Sequence, residues 1–244
     1  MKAALIASLV ASLATGLGGA LVALFPRISR SLYNTLLGFS AGVMLAAGSL
    51  TLLGPALAKN GSTLVIAGLL AGALLVFLLE RVVPHLEPHF APQFAGPEKR
   101  MGMLLLAAMT LHHLPEGLAV GVAFAAADYS MGLIVAVAIA LQNLPEGLAV
   151  AMPLRAAGLT RTRAILLASA SGLAQPLGAA LGVWFVGVVG PMVPFALALA
   201  AGAMIFVASD QLIPESRQMP EAKAPSLGLI AGFTLVAILT KLFA

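Results

Sequence analysis

Cysteine is absent from the 244-residue chain, so no disulfide can staple it and no thiolate can hold a metal. Charge is scarce as well: 9% of residues are Asp, Glu, Lys or Arg, against about 25% in an ordinary soluble domain. That shortage excludes a water-soluble enzyme or binding module. The 13 basic residues are scattered singly and the net charge is only +4, which leaves no patch for a phosphate backbone, so no nucleic-acid partner is expected. Segments of about ten residues alternating polar and apolar are missing too, which excludes a transmembrane β-barrel. What remains is a chain 61% hydrophobic. Its apolar runs recur at roughly 25-residue spacing, each long enough to cross a hydrocarbon core about 30 Å thick as a helix. The expected fold class is an all-α integral membrane protein with lipid as its surroundings.

Hydropathy and helix breakers divide the chain into eight expected spans, at about 3–25, 32–58, 62–83, 101–126, 131–155, 162–188, 192–214 and 225–243. Together they make one transmembrane domain, 1–244. The first stretch, MKAALIASLVASLATGLGGALVALF, has the Lys and small residues of a signal peptide but outruns a typical apolar signal core, and so reads as a span. The segment PHLEPHFAPQFAGPEKR, 84–100, is polar and proline-rich and reads as the one long loop. Placing both termini outside puts Arg27, Arg30, Arg81, Lys99, Arg100, Arg155, Arg161, Arg163, Arg217 and Lys223 inside. Only Lys2, Lys59 and Lys241 then lie outside, which satisfies the positive-inside rule.

The two central spans carry an echo: LHHLPEGLAV starts at Leu111 and LQNLPEGLAV at Leu141. Consecutive spans run in opposite directions, so the two motifs face each other antiparallel. Residues four apart share a helix face, which groups His112 with Glu116 and Gln142 with Glu146. A carboxylate at bilayer depth is costly unless it is paired, protonated or metal-bound, and these spans place no Lys or Arg beside it. Pro115 and Pro145 take away the helical partners of the Leu111 and Leu141 carbonyls and are expected to kink both helices. At membrane depth such carbonyls are tolerated where they line a cavity or meet a ligand. Gly117 and Gly147 would let a neighbouring helix approach closely.

Imidazole, carboxylate and amide oxygen together suit Zn²⁺ and also accept Fe²⁺, Mn²⁺, Co²⁺ or Cd²⁺. A lone membrane histidine is more often a packing residue, and a lone glutamate a neutral acid. Two helices with a Glu at the same offset, one of them with a His pair, favour a metal or proton site. A fainter echo, AGVMLAAGSLTLLGP from Ala41 against AGAMIFVASDQLIP from Ala201, relates the second span to the seventh. Three spans on each side of the central pair would then be inverted repeats, with a substrate site at the midplane.

LHHLPEG resembles the HNxPEG signature of the ZIP family of divalent-metal transporters, and LQNLPEG resembles that family's companion motif on the next helix. ASGLAQPLGA from Ala170 and GAMIFVASDQLIPES from Gly202 are similar to its GufA-like bacterial branch, and the resemblance extends over the whole chain. It implies eight helices in a 3+2+3 inverted-repeat bundle, forming a homodimer in the bacterial inner membrane. It also implies import of zinc, and of iron, manganese or cadmium, into the cytosol as cargo, with no catalytic cofactor. Carried over to this chain, the first metal site falls on Met44, His112, Glu116, Gln142 and Glu146. A second, weaker position falls on His113, Asn143 and Gln175, sharing the two glutamates.

Here the chain departs from the pattern, because Asn143, Gln175 and Gln211 stand where relatives in that branch tend to have carboxylates. Two glutamates balance one dication but not two held a few ångströms apart, so one tightly bound ion is expected. Asp210, Gln211 and Glu215 are expected to form an exit relay at the inner end of the seventh span. His85, Glu87 and His89 would collect metal weakly in the loop, and Glu80 would pair with Arg81 or stay hydrated. Ser8, Ser40, Ser169 and Ser171 are expected to bridge helices.

Two rival functions differ in class. An intramembrane metal-dependent hydrolase needs an open coordination position and a base, but the chain has no HExxH and only two histidines at membrane depth. A proton or sodium carrier would explain the glutamates and leave His112 and His113 without a role.

Overall fold

The structure, a computed structural model, describes residues 1–24, 28–59, 62–90, 97–126, 129–217 and 223–243. All regular structure among them is helical. Helix α1 spans Lys2–Leu24, and α2 (Arg30–Ala46) continues through a π-helical segment, Ala47–Leu53, into α3 (Gly54–Ala58). Helices α4 (Ser62–Phe90), α5 (Pro97–Ala126) and α6 (Tyr129–Ala156) follow, and then α7 (Arg161–Gly172) and α8 (Ala174–Val189). After a 3₁₀ turn at Gly190–Met192, α9 (Val193–Val207) runs through a second π segment, Ala208–Leu212, into α10 (Ile213–Ser216). Helix α11 (Ala224–Phe243) ends the described chain. Seven helical stretches among the described residues are long and apolar enough to cross a membrane.

Local chemistry explains where these helices start and where they deviate. The Ser29 hydroxyl caps α2 by accepting from the Leu32 N–H at 3.2 Å, and Thr160 caps α7 by accepting from the Arg163 N–H at 3.3 Å. Prolines set the irregularities. Pro176 has no N–H to give the Gly172 carbonyl, and the helix breaks there into α7 and α8. Before Pro55 and Pro214 the ladder changes register: the Gly54 N–H reaches back five residues to the Ser49 carbonyl, and the Ile213 N–H to that of Ala208. Both π segments fall within the AGVM and AGAM echoes. Pro115 and Pro145, by contrast, lie inside continuous helices.

Polarity is inverted relative to a soluble domain. Leu70, Leu74, Trp184 and Leu227 are exposed, while His112, His113, Glu116, Gln142, Asn143, Glu146 and Gln175 are buried. An apolar exterior around a polar interior is what a lipid environment requires. The most extensive packing joins α2 to α11, α5 to α8, α4 to α9 and α1 to α6. Close approach at the centre depends on the two motif glycines. A β-carbon on Gly117 would overlap the Gln175 carbonyl of α8, and one on Gly147 would overlap the Thr15 carbonyl of α1.

One sequence expectation is overturned here. Helix α4 runs on to Phe90, so the stretch from Pro84 is helical where a loop was expected. A proline removes a single intrahelical bond, and that is no stop signal where the freed carbonyl can be solvated. His85, Glu87 and His89 therefore sit on a helix, and their side chains lie outside the described residues, as do residues 91–96 of the expected loop.

Candidate metal centre

Helices α5 and α6 bring the two LPEG motifs together at the centre of the molecule. The Gln142 side chain of α6 donates through Nε2 to Glu116 Oε1 of α5 at 2.6 Å, so the echoed motifs touch across the helix pair. On α5 the i,i+4 grouping is realised, with His112 Nε2 3.6 Å from Glu116 Oε1. On α6, Glu146 is reached from α2: the Ser40 hydroxyl stands 3.0 Å from Glu146 Oε1 and 2.8 Å from the Gln142 carbonyl oxygen. One atom each from His112, Glu116 and Glu146 can be chosen so that all lie within 4.8 Å of one another.

The unused atoms of this cluster are informative. His112 Nε2, Gln142 Oε1 and Glu146 Oε2 are buried without a hydrogen-bond partner. A buried polar atom left unpaired is costly, and a positive ligand among His112, Glu116 and Glu146 would offset part of that cost. The donors are imidazole nitrogen, carboxylate oxygen and amide oxygen, a set that binds zinc and its neighbours in the first transition row.

The second expected position is built differently. Gln175 of α8 donates through Nε2 to Glu116 Oε2 and, at 3.2 Å, to Asn143 Oδ1. Asn143 donates through Nδ2 to the Ala11 carbonyl at 2.8 Å and to Gln175 Oε1 at 3.0 Å. All four N–H bonds of the two amides are thus used, and one of them faces the glutamate. His113 is fully buried, with its ring centroid 6.3 Å from that of His112, and neither ring nitrogen has a hydrogen-bond partner.

The remaining sequence candidates separate. Met44 is fully buried in the apolar core one helical turn beyond Ser40. Asp210 and Glu215 are exposed, whereas Gln211 turns inward, with its Oε1 2.8 Å from His112 Nδ1 and its Nε2 donating to Glu80 Oε1. Glu80 is therefore held by Gln211, and Arg81 lies over the Phe77 ring at 4.4 Å. Among the four serines, Ser40 alone bonds to another helix. Ser8, Ser169 and Ser171 donate to carbonyls of their own helices at 3.0, 2.8 and 2.8 Å. The contact of Ser40 with Glu146 was legible only in part: its place one turn before Met44 put it on the inner face of α2.

A cavity of about 360 Å³ opens near the start of α2 and the end of α6. Arg30, Tyr33, Asn34, Met152, Pro153 and Glu215 are on its wall.

Fold and site together define a multi-pass helical membrane protein with a buried, acid-bearing ligand cluster at its centre. Comparison with known proteins narrows the class. The family model for the ZIP zinc transporter matches residues 97–240. Zinc transporter GufA of Myxococcus xanthus is 38% identical over 249 residues, covering 98% of this chain and 98% of its own length. Zinc transporter ZIPB of Bordetella bronchiseptica is 41% identical over 233 residues, 91% of this chain and 75% of its own. Zinc transporter ZupT of Corynebacterium glutamicum is 35% identical over 256 residues, 97% of each chain. The chain belongs to the ZIP family.

Proposed function

We infer that the protein imports divalent metal ions, zinc foremost, and holds the ion between α5 and α6. The observation that carries this reading is the convergence of His112, Glu116 and Glu146, whose ligand atoms lie within 4.8 Å of one another at the buried centre of the bundle. Gln142 Oε1 is the fourth donor, and Met44 is the soft ligand on the α2 side. The two glutamates carry a charge that one dication neutralises, and the satisfied amides of Asn143 and Gln175 supply no further charge for a second. The relatives named above are transporters, which favours transport over the hydrolase reading.

The helix pairing supports a 3+2+3 inverted repeat. Exchanging α1 with α7–α8, α2–α3 with α9–α10, α4 with α11 and α5 with α6 turns the α1 to α6 packing into that of α8 with α5. The same exchange turns α2 with α11 into α9 with α4, and one π segment into the other. Release to the cytosol runs through the cavity beside Arg30 and Glu215. Met152 on its wall lies six residues beyond Glu146 on α6, about 9 Å along the helix axis. The asymmetry of the basic residues supports that end lying inside and both termini outside. Membership of the ZIP family, with bacterial relatives, is what supports a homodimer in the bacterial inner membrane.

Radiolabelled zinc uptake into proteoliposomes tests the reading, with saturable flux as the expected result. Imidazole and carboxylates must be free of protons to bind the ion, so the apparent zinc affinity falls as the outside pH is lowered. Absence of saturable zinc flux overturns the reading.

A further inference from the structure

Gln211 connects the candidate metal centre to a residue that the transport reading leaves unused. It lies in the π segment Ala208–Leu212, where the ladder bonds five residues back and the usual helical spacing of side chains is lost. Its amide spans the gap between Glu80 of α4 and His112 of α5. The chemistry of these three groups fixes a direction. A carboxylate oxygen accepts and cannot donate, so the NH₂ end of Gln211 faces Glu80 and the carbonyl end faces His112. A carbonyl oxygen also only accepts, so the Nδ1 nitrogen 2.8 Å away must carry a proton. The neutral ring then holds its lone pair on Nε2, the nitrogen that stands 3.6 Å from Glu116 and has no hydrogen-bond partner.

Resting on the metal reading of the cluster, we propose that Glu80 and Gln211 are positioning residues that set the tautomer of His112 and aim its Nε2 at the transported ion. A ligating histidine needs its other nitrogen held by an acceptor, which fixes both ring orientation and basicity. Glu80 decides the sense of the arrangement. Without it, the Gln211 amide is free to turn through half a revolution and present its NH₂ group to Nδ1. That nitrogen must then accept, the ring proton moves to Nε2, and the lone pair needed by the metal is lost. Metal affinity at the buried centre is thus set in part by half-buried Glu80 on α4.

Two measurements test this. With ¹⁵N-labelled histidine and at a pH where the ring is neutral, metal-free wild type keeps the proton of His112 on Nδ1, with the resonance assigned by its loss in His112→Gln. In Gln211→Leu the proton moves to Nε2. Zinc affinity of the purified full chain, read by competition with a chromophoric chelator, falls about 10- to 100-fold in Glu80→Leu and in Gln211→Leu. The double variant binds no more weakly than Gln211→Leu alone, because both residues act through one chain of bonds. A wild-type proton on Nε2, unchanged affinity in both variants, or losses that multiply in the double variant overturn the inference. If wild type binds no zinc, the metal reading itself fails, and the tautomer measurement still decides the hydrogen-bond assignment.

Discussion

Proteoliposomes carrying Glu146→Gln are expected to show no saturable zinc uptake, although the variant folds as well as wild type. The two glutamates differ in what an amide would meet. Glu146 Oε1 accepts from Ser40 and Oε2 has no partner, so a Gln there can keep its carbonyl towards Ser40 and put its NH₂ group where nothing donates. A buried charge disappears without a new conflict. Glu116 instead receives an N–H on each oxygen, from Gln142 and from Gln175. Glu116→Gln therefore sets donor against donor, at about 1–3 kcal/mol for the group left unsatisfied. Both variants lose one carboxylate from a buried ion site, a change of about 3–5 kcal/mol, or at least about 10²-fold in affinity. The control is a melting curve. Zinc at about a hundred times the wild-type Kd stabilises wild type by about 2.7 kcal/mol and Glu146→Gln by no more than about 0.4 kcal/mol. Wild-type uptake, or a wild-type zinc-dependent shift, in that variant would remove Glu146 from the site.

The second large effect is a gain. Gln175→Glu should raise bound zinc from one ion per chain to two. In the wild type, Gln175 and Asn143 satisfy each other and hold Glu116 Oε2 with an N–H. The Gln175 N–H lies against the Glu116 oxygen that the expected second cation would share. A carboxylate at position 175 can only accept, so it faces Glu116 with like charge, and both oxygens then need a cation between them. Asn143 remains able to turn its oxygen towards that ion. The metal-free variant should melt lower than wild type, and zinc should stabilise it by more than it stabilises wild type. Metal analysis after gel filtration decides the matter: a ratio that stays at one sinks the claim that this amide pair excludes the second ion.

The central motif was legible because its logic is local. Four-residue spacing puts His112 above Glu116 on one helix face, antiparallel neighbours put LQNLPEG opposite LHHLPEG, and the Gln142 to Glu116 bond is the result. The motif glycines were legible for the same reason, and each meets a backbone carbonyl of a packed helix, α8 for Gly117 and α1 for Gly147. What the sequence hid lies where proline and the helical period mislead. Pro84 looked like a terminator, yet α4 continues to Phe90. The contact of Gln211 with His112 could not be read from a 3.6-residue period, because it rests on the π segment that carries Gln211. The serines were judged by residue type. Ser8, Ser169 and Ser171 each have a carbonyl of their own helix in reach, while Ser40 finds Glu146 on α6.

The most direct test of the account is an anomalous difference map at the zinc edge from crystals grown with zinc. The account predicts one strong peak at the centre of the bundle, about 2.0–2.2 Å from His112 Nε2 and from a carboxylate oxygen of both Glu116 and Glu146. A principal peak elsewhere, or those two carboxylates turned away from a common atom, would contradict it.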